Sequence, residues 1–259
     1  MRLRIKIRRS LTWLAHCYKA VFNNYHQQLL PLCQIILKPD DLVIDVGAQA
    51  GQLSKIFSRY VPLGRVLAVE PGQYSLSILS IVKLIRQLPP VFIISKGVGE
   101  KPGKATLQTP LKKSGVLRFG LSKINTAKED DADKTTINEH VVITTIDSLI
   151  EEHGEKRNFS LLKADIEGHE YKMLCGAVNS IEKSKPCLLL EISNDKEKIL
   201  NFLLTRNYTV LGLMNYGGKE TESLRLVEIS SDEEVTARNI LAVNNSKKEL
   251  LRNIKAHFC

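Results

Sequence analysis

The chain has 259 residues, 43% of them hydrophobic, enough to bury a substantial core in one main domain. Its cysteines (Cys17, Cys33, Cys175, Cys187 and Cys259) are an odd number with no C-x-x-C pair. That disfavours a disulfide framework and a zinc site and fits reduced thiols in the cytoplasm. The formal charge of +9 is uneven, since Arg2, Arg4, Lys6, Arg8 and Arg9 crowd the first ten residues, and no run approaches the about 18 apolar residues of a membrane-spanning helix.

The basic head resembles the start of a secretory signal, but "LTWLAHCYKAVF" is interrupted by His16, Tyr18 and Lys19 and offers no small-residue cleavage site, so export is disfavoured. Such a head suits peripheral contact with an anionic membrane. No nucleic-acid-binding motif accompanies it, which disfavours nucleic acid as a partner. From Ser10 to about Leu37 the apolar spacing predicts helix, interrupted at Pro31. Residues 1–38 read as a basic helical leader, 39–245 as the main domain and 246–259 as a helical tail.

After "KPDD", the run "LVIDVGAQAG" predicts a buried strand entering a glycine turn; "QLSKIFSRYV" follows as a helix and "RVLAVEP" as a second strand. A helix from about Tyr74 to Arg86 and a third strand, "VFIISKGVG", continue the alternation. Between Lys101 and His140 the pieces "KATLQT" and "GVLRFG" and the charged run "KEDDADK" predict an inserted hairpin with a polar loop. Then come "HVVITTIDSLIEEHG" as strand and helix, "FSLLKAD" as strand, "EYKMLCGAVNSIEK" as one helix and "PCLLLEIS" as strand. "YTVLGLM" and "RNILAV" finish the sheet. Alternation of this kind implies an α/β fold with a mostly parallel sheet and helices on both faces.

In such sheets ligands bind at the carboxyl ends of the strands, and there Asp45, Glu70, Asp165 and Glu191 each stand at or near the end of an apolar run. Acids beside a core cost desolvation energy, so a functional rim explains them better than stability does. In "DVGAQAG", Gly47 and Gly51 suit a tight turn that a ligand can approach, with Ala48-Gln49-Ala50 between them. Glu70 stands where an acid can hold ribose hydroxyls. A dinucleotide would want G-x-G-x-x-G for its pyrophosphate. The acid Asp45 before the turn repels phosphate and suits a sulfonium, which points to S-adenosylmethionine.

The segments "VIDVGAQAG", "AVEPGQYS", "KGVGEKPGKATL", "TTIDSLI", "LLKADIEGHEYKMLCGA" and "PCLLLEI", over roughly Leu42 to Ser193, resemble in order and spacing the FkbM family of S-adenosylmethionine-dependent methyltransferases. The resemblance implies a Rossmann-like, seven-stranded methyltransferase sheet and an O-methyltransferase acting on a hydroxyl of a glycan, glycolipid or related small molecule. It maps Asp45, Gly47, Gln49 and Gly51 to the methionine end of the cofactor, Glu70 to the ribose and the Gly97–Val98 region to the adenine, with Lys96 a departure from the small residue usual there.

Methyl transfer is an in-line displacement, and a base at a strand end could take the acceptor's proton. Asp165 is best placed, Lys163 could pair with it or orient the acceptor, and His169 is the alternative base. Asp165, Glu167 and His169 could also ligate Mg²⁺, but nothing in the sequence fixes their convergence, and no metal is assigned. Glu167 and Glu170 also suit a helix amino terminus, and His16, His26, His140, His153 and His257 read as surface or packing residues. A non-catalytic nucleoside-binding scaffold and, with less support, a nicotinamide-dependent oxidoreductase are the competing classes.

Overall fold

The computed structural model describes residues 2–110, 123–125, 136–154, 156–217, 223–229 and 237–259, with backbone alone at 2–9 and 123–125. In chain order the elements are α1 (Arg2–Phe22), a 3-10 turn (Gln27–Leu29), α2 (Leu30–Ile36), β1 (Leu42–Val46), α3 (Gln52–Tyr60), β2 (Arg65–Val69), α4 (Gln73–Ile85) and β3 (Val91–Ile94). An insertion follows, with β4 (Gly97–Val98), β5 (Gly103–Pro110), β6 (Lys123–Asn125) and β7 (Thr136–Thr144). Then come α5 (Ile146–His153), β8 (Phe159–Ala164), α6 (Glu170–Cys175), α7 (Val178–Ser184), β9 (Cys187–Glu191), α8 (Lys196–Thr205), β10 (Tyr208–Met214), β11 (Arg225–Glu228), β12 (Asn239–Asn244) and α9 (Lys248–Phe258).

The main sheet has the order β11-β10-β12-β9-β8-β1-β2-β3. Strands β9, β8, β1, β2 and β3 are mutually parallel, while β12 runs antiparallel to β9 and to β10. The inner strands are mostly apolar because both their faces are covered, with Asp45 in β1 and Lys163 in β8 as the charged exceptions. Val43 and Leu161 join a core under α1–α4 and α9, whereas Leu42, Ile44 and Leu162 join a core under α5–α8. The sheet therefore has eight strands, not the seven expected. The additional one is β11, an edge strand in which buried Leu226 alternates with exposed Arg225 and Val227.

Three local expectations are corrected. Pro31 sits in the first turn of α2, where its missing N–H costs nothing, and it opens that helix rather than breaking one. The break comes earlier, after Phe22, and includes His26 in a left-handed conformation (φ 61°). The third predicted strand divides: β3 joins the main sheet, and β4 pairs with β7 in a second sheet of order β4-β7-β5-β6. The single helix predicted from Glu170 onward is two, α6 and α7, parted at Gly176. A side chain there would put its Cβ 2.2 Å from the Gly99 carbonyl oxygen, so the backbones meet where only glycine fits. Helix α8 had no counterpart in the sequence reading. The pieces "GVLRFG" and "KEDDADK" lie outside the described residues.

The leader is bound to the sheet's helical layer. Trp13 Nε1 donates to Ser77 Oγ (2.8 Å), and His16 Nδ1 lies 2.7 Å from Tyr74 Oη, both partners on α4. The carboxyl end of α1 leaves carbonyls unsatisfied, as every helix does. Buried Lys55 donates to two carbonyls there, Ala20 (3.1 Å) and Asn23 (2.8 Å).

Candidate functional site

Strand order reverses between β1 and β8: the chain moves from β1 outward to β3, then returns to β8 and proceeds to β9 on the other side. The crevice at the carboxyl ends of these two strands is where such sheets bind ligands. A cavity of about 570 Å³ lies there. One wall is the turn Gly47–Ala50 with Asp165 and Glu191 at the ends of β8 and β9. The other comes from the leader (His16, Lys19, Tyr25, His26) and from the carboxyl-terminal third (Tyr216, Arg238).

The first wall is held by a buried ion pair. Asp45 and Lys163 are register partners on adjacent strands, and Lys163 Nζ lies 3.3 Å from Asp45 Oδ1. Ser54 Oγ donates to the other carboxylate oxygen at 2.6 Å, whereas Oδ1 accepts no hydrogen bond of good geometry. Lys163 also donates to the carbonyls of Val46 (3.3 Å) and Gly47 (3.1 Å), so it ties β8 to the turn. The turn needs its glycine. Gly47 has φ +70°, and a Cβ on it would fall 2.0 Å from the Asp165 carbonyl oxygen.

Two expectations change accordingly. Lys163 lines the cavity but takes Asp45, not Asp165, as its charged partner. Asp45 is fully buried and does not line the cavity, so the negative charge facing a ligand comes from Asp165 and Glu191. Gln49, in a left-handed conformation, lines the cavity beside Gly47. Its N–H donates to Glu70 Oε2, and the Gly72 N–H donates to Glu70 Oε1, both at 2.9 Å.

Glu70 thus links the first turn to the loop after β2 and stands just behind the cavity wall. Burial pushes its carboxyl up to about 7, against the pull of the Gly72 and Gln49 hydrogen bonds. Gly51 starts α3. Val98 is packed in the core under α5–α8, and Lys96 pairs with Glu152 at 3.4 Å.

At the end of β8, the charged segment divides by role. Glu170 is 1% exposed, and its Oε1 accepts from the N–H groups of Ile166 and Gly168, both 3.2 Å, which closes the loop leading into α6. His169 precedes α6 and does not line the cavity. Asp165 does, beside Glu191 at the end of the next strand. Burial and the adjacent Asp165 charge push the Glu191 carboxyl up to about 7, with Arg238 opposing. Arg238 pairs with Glu191 directly. Among the described residues no group of three or more His, Cys, Asp and Glu is placed to hold a metal ion.

His26 was read as a packing residue, yet it faces the cavity. Its Nδ1 lies 2.9 Å from Tyr216 Oη, joining the leader to the loop after β10. Gln28 Nε2 reinforces the link by donating to the Asn215 carbonyl at 3.1 Å. Burial, with the Lys163 charge, lowers the His26 pKa and favours a neutral ring. Burial and the carboxylates of Asp165, Asp45 and Glu191 raise that of Tyr216.

The residues fit a nucleoside carrying a sulfonium. The cavity volume lies within the about 300–1,000 Å³ of small-molecule sites. Carboxylates rather than a phosphate-binding loop stand at the turn, with Glu70 behind it accepting the Gln49 and Gly72 N–H groups.

The family model of the FkbM methyltransferase domain matches residues 45–210. No curated protein matches the chain significantly. Among solved structures, a methyltransferase FkbM from Methylobacillus flagellatus KT superposes with a TM-score of 0.51 at 18% identity, covering 80% of this chain and 44% of that one. The present chain thus spans less than half the length of that relative. A SAM-dependent O-methyltransferase from Thermotoga maritima gives 0.44 at 15% identity (85% and 65% covered). A precorrin-6y C5,15-methyltransferase from Geobacter metallireducens GS-15 gives 0.45 at 10% (84% and 86%). With the family model covering well over half of its residues, the chain belongs to the FkbM methyltransferase family, whose methyl donor is S-adenosylmethionine.

Proposed function

We propose that the enzyme methylates a hydroxyl oxygen of a glycan, glycolipid or related small molecule, with Asp165 accepting the proton that the hydroxyl gives up. The observation that carries this reading is the placing of two carboxyl groups, Asp165 and Glu191, in the wall of one cavity with the Gly47 turn. A neutral hydroxyl is a poor nucleophile, and a base within hydrogen-bond reach of it is worth about 10²–10⁴-fold.

S-adenosylmethionine, when bound, supplies a methyl carbon activated by its sulfonium. Gly47, Gln49 and Gly51 would shape the methionine end of its site, Glu70 would hold the ribose and Val98 would lie on the adenine side, with Asp45 acting through Lys163 to hold the turn. Asp165 would take the proton that the acceptor oxygen gives up as it gains the methyl carbon, whose bond to sulfur breaks to release S-adenosylhomocysteine. Glu191, its carboxyl pushed up to about 7, stands beside Asp165 in the same wall. His26 and Tyr216 face this pair from the second wall and would hold the acceptor behind the methyl carbon.

His169 keeps a secondary place as an alternative base, since it stands at the start of α6 outside the cavity. Reduced thiols at all five cysteines support work in the cytoplasm, and the basic amino terminus supports peripheral contact with an anionic membrane bearing the acceptor. The test is incubation with labelled methyl donor and saccharide and lipid extracts of the source cell, followed by identification of the labelled product. Label on a hydroxyl oxygen supports the reading. Tight binding of NAD with none of S-adenosylmethionine or its demethylated product would overturn it.

A further inference from the structure

Helix α1 carries two apolar faces, and only one is packed among the described residues. Cys17, Ala20 and Val21 are buried in the core, and Trp13 packs against it. On another face Leu11, Leu14, Tyr18 and Phe22 are 61%, 55%, 64% and 57% exposed. At about 100° per residue these four fall within an arc of about 80°, so they form one stripe, and the Tyr18 and Phe22 rings touch with centroids 4.9 Å apart. In sequence the same spacing continues back to Ile7 and Leu3. Scattered exposed apolar residues are ordinary, but an aligned row on a helix already packed by its other side marks a surface for contact.

The charge of the same helix chooses the partner. Arg2, Arg4, Lys6, Arg8, Arg9 and Lys19 lie on it, and no Asp or Glu precedes Asp40. A second copy of this helix would bring like charges together, whereas an anionic bilayer meets both the charge and the apolar row. The helix is also a wall of the cavity: His16, Lys19 and Ala20 line it, and exposed Tyr25 just beyond its end does too. No described helix is long and apolar enough to cross a membrane.

We infer that α1 docks the enzyme on the surface of an anionic lipid bilayer, with the Leu11–Leu14–Tyr18–Phe22 stripe in the headgroup region. The surface contact stands whether or not the hydroxyl chemistry above is right. Resting on that chemistry, docking brings the enzyme to the surface that would hold an amphiphilic acceptor with a hydroxylated headgroup.

The test is sedimentation of the full chain with vesicles, either of phosphatidylcholine alone or with a third phosphatidylglycerol, at low and high salt. Wild type should partition onto the anionic vesicles at low salt, and far less onto phosphatidylcholine or at high salt. Leu14→Gln with Tyr18→Gln should lower partitioning at least tenfold, and so should Arg4→Gln with Lys6→Gln and Arg8→Gln. Both variants must keep the thermal stability and the S-adenosylhomocysteine affinity of wild type, and the exchanged Leu14 and Tyr18 side chains are exposed and do not line the cavity. Partitioning unchanged by Leu14→Gln/Tyr18→Gln would overturn the proposal. So would a wild-type dimer in sedimentation velocity that this variant dissolves, because the stripe would then belong to a second copy. Equal binding to both vesicle types would overturn the assignment to an anionic surface.

Discussion

The two walls of the cavity are built by different physics. The wall from β1, β8 and β9 lies within the family-matched residues 45–210 and is fastened by a buried ion pair, a glycine turn and a carboxylate that accepts two backbone N–H groups. The facing wall comes from the leader and the carboxyl-terminal third, outside that match. Two hydrogen-bonded contacts close it across 190 and 187 residues of sequence, His26 with Tyr216 and Gln28 with Asn215. The first arrangement cannot shift without exposing an uncompensated charge. The second can be exchanged one side chain at a time. On the proposed function, donor binding belongs to the first wall and acceptor choice to the second.

The comparison can be broken most forcefully at Lys163. Lys163→Met leaves Asp45 charged and buried without its partner, and removing one member of such a pair costs about 3–5 kcal/mol. Chemical denaturation should show that loss. A stability within about 1 kcal/mol of wild type would mean that the pair does not fasten the wall.

Next in size, Asp165→Asn should lower turnover by about 10² or more while leaving S-adenosylhomocysteine affinity unchanged, measured by steady-state kinetics and calorimetry. If His169→Ala takes the large loss instead, the base lies outside the cavity and the division of roles fails.

Glu70→Ala removes the carboxyl that holds the Gln49 and Gly72 N–H groups and, on the proposed function, the ribose, so donor affinity should fall roughly 10- to 100-fold with little change in acceptor KM.

On the second wall the effects are smaller and of the opposite kind. His26→Asn keeps a residue that tolerates positive φ but removes the ring from Tyr216, and Tyr216→Phe removes the hydroxyl. Each should raise acceptor KM by up to about tenfold, the value of one hydrogen bond, with donor affinity intact. A loss of donor binding in either would erase the contrast between the walls.

Smallest is a pH effect. The Glu191 carboxyl is pushed up to about 7, so its proton leaves as pH rises through neutrality. Ionised Glu191 then adds a negative charge to the cavity wall, which favours binding of the donor's sulfonium. Accordingly kcat/KM should climb a few-fold across that range, and Glu191→Gln should flatten the climb.

How much of this was legible in the sequence follows the same division. Strands buried on both faces announce themselves as apolar runs, and their abrupt ends at Asp45, Glu70, Asp165 and Glu191 mark the carboxyl edge of the sheet. Glycine spacing located the turn. Pairing across strands was not legible. Lys163 and Asp165 share a strand face by alternation, and only the register of β8 on β1 hands Lys163 to Asp45. His26 stands isolated in sequence because its partner is 190 residues away. Strand β11 carried a readable signal, the alternation in "LRLVE", but four residues are too few to separate an edge strand from a loop.

The most direct measurement follows a labelled methyl group from S-adenosylmethionine into an accepted substrate, for wild type and Asp165→Asn side by side, with S-adenosylhomocysteine affinity determined for both. Wild type should place the label on a hydroxyl oxygen, and Asp165→Asn should bind the donor product equally well while transferring at no more than about one hundredth of the rate. Label on nitrogen or carbon, or transfer by Asp165→Asn at the wild-type rate, would contradict oxygen methylation by a carboxylate base at the end of β8.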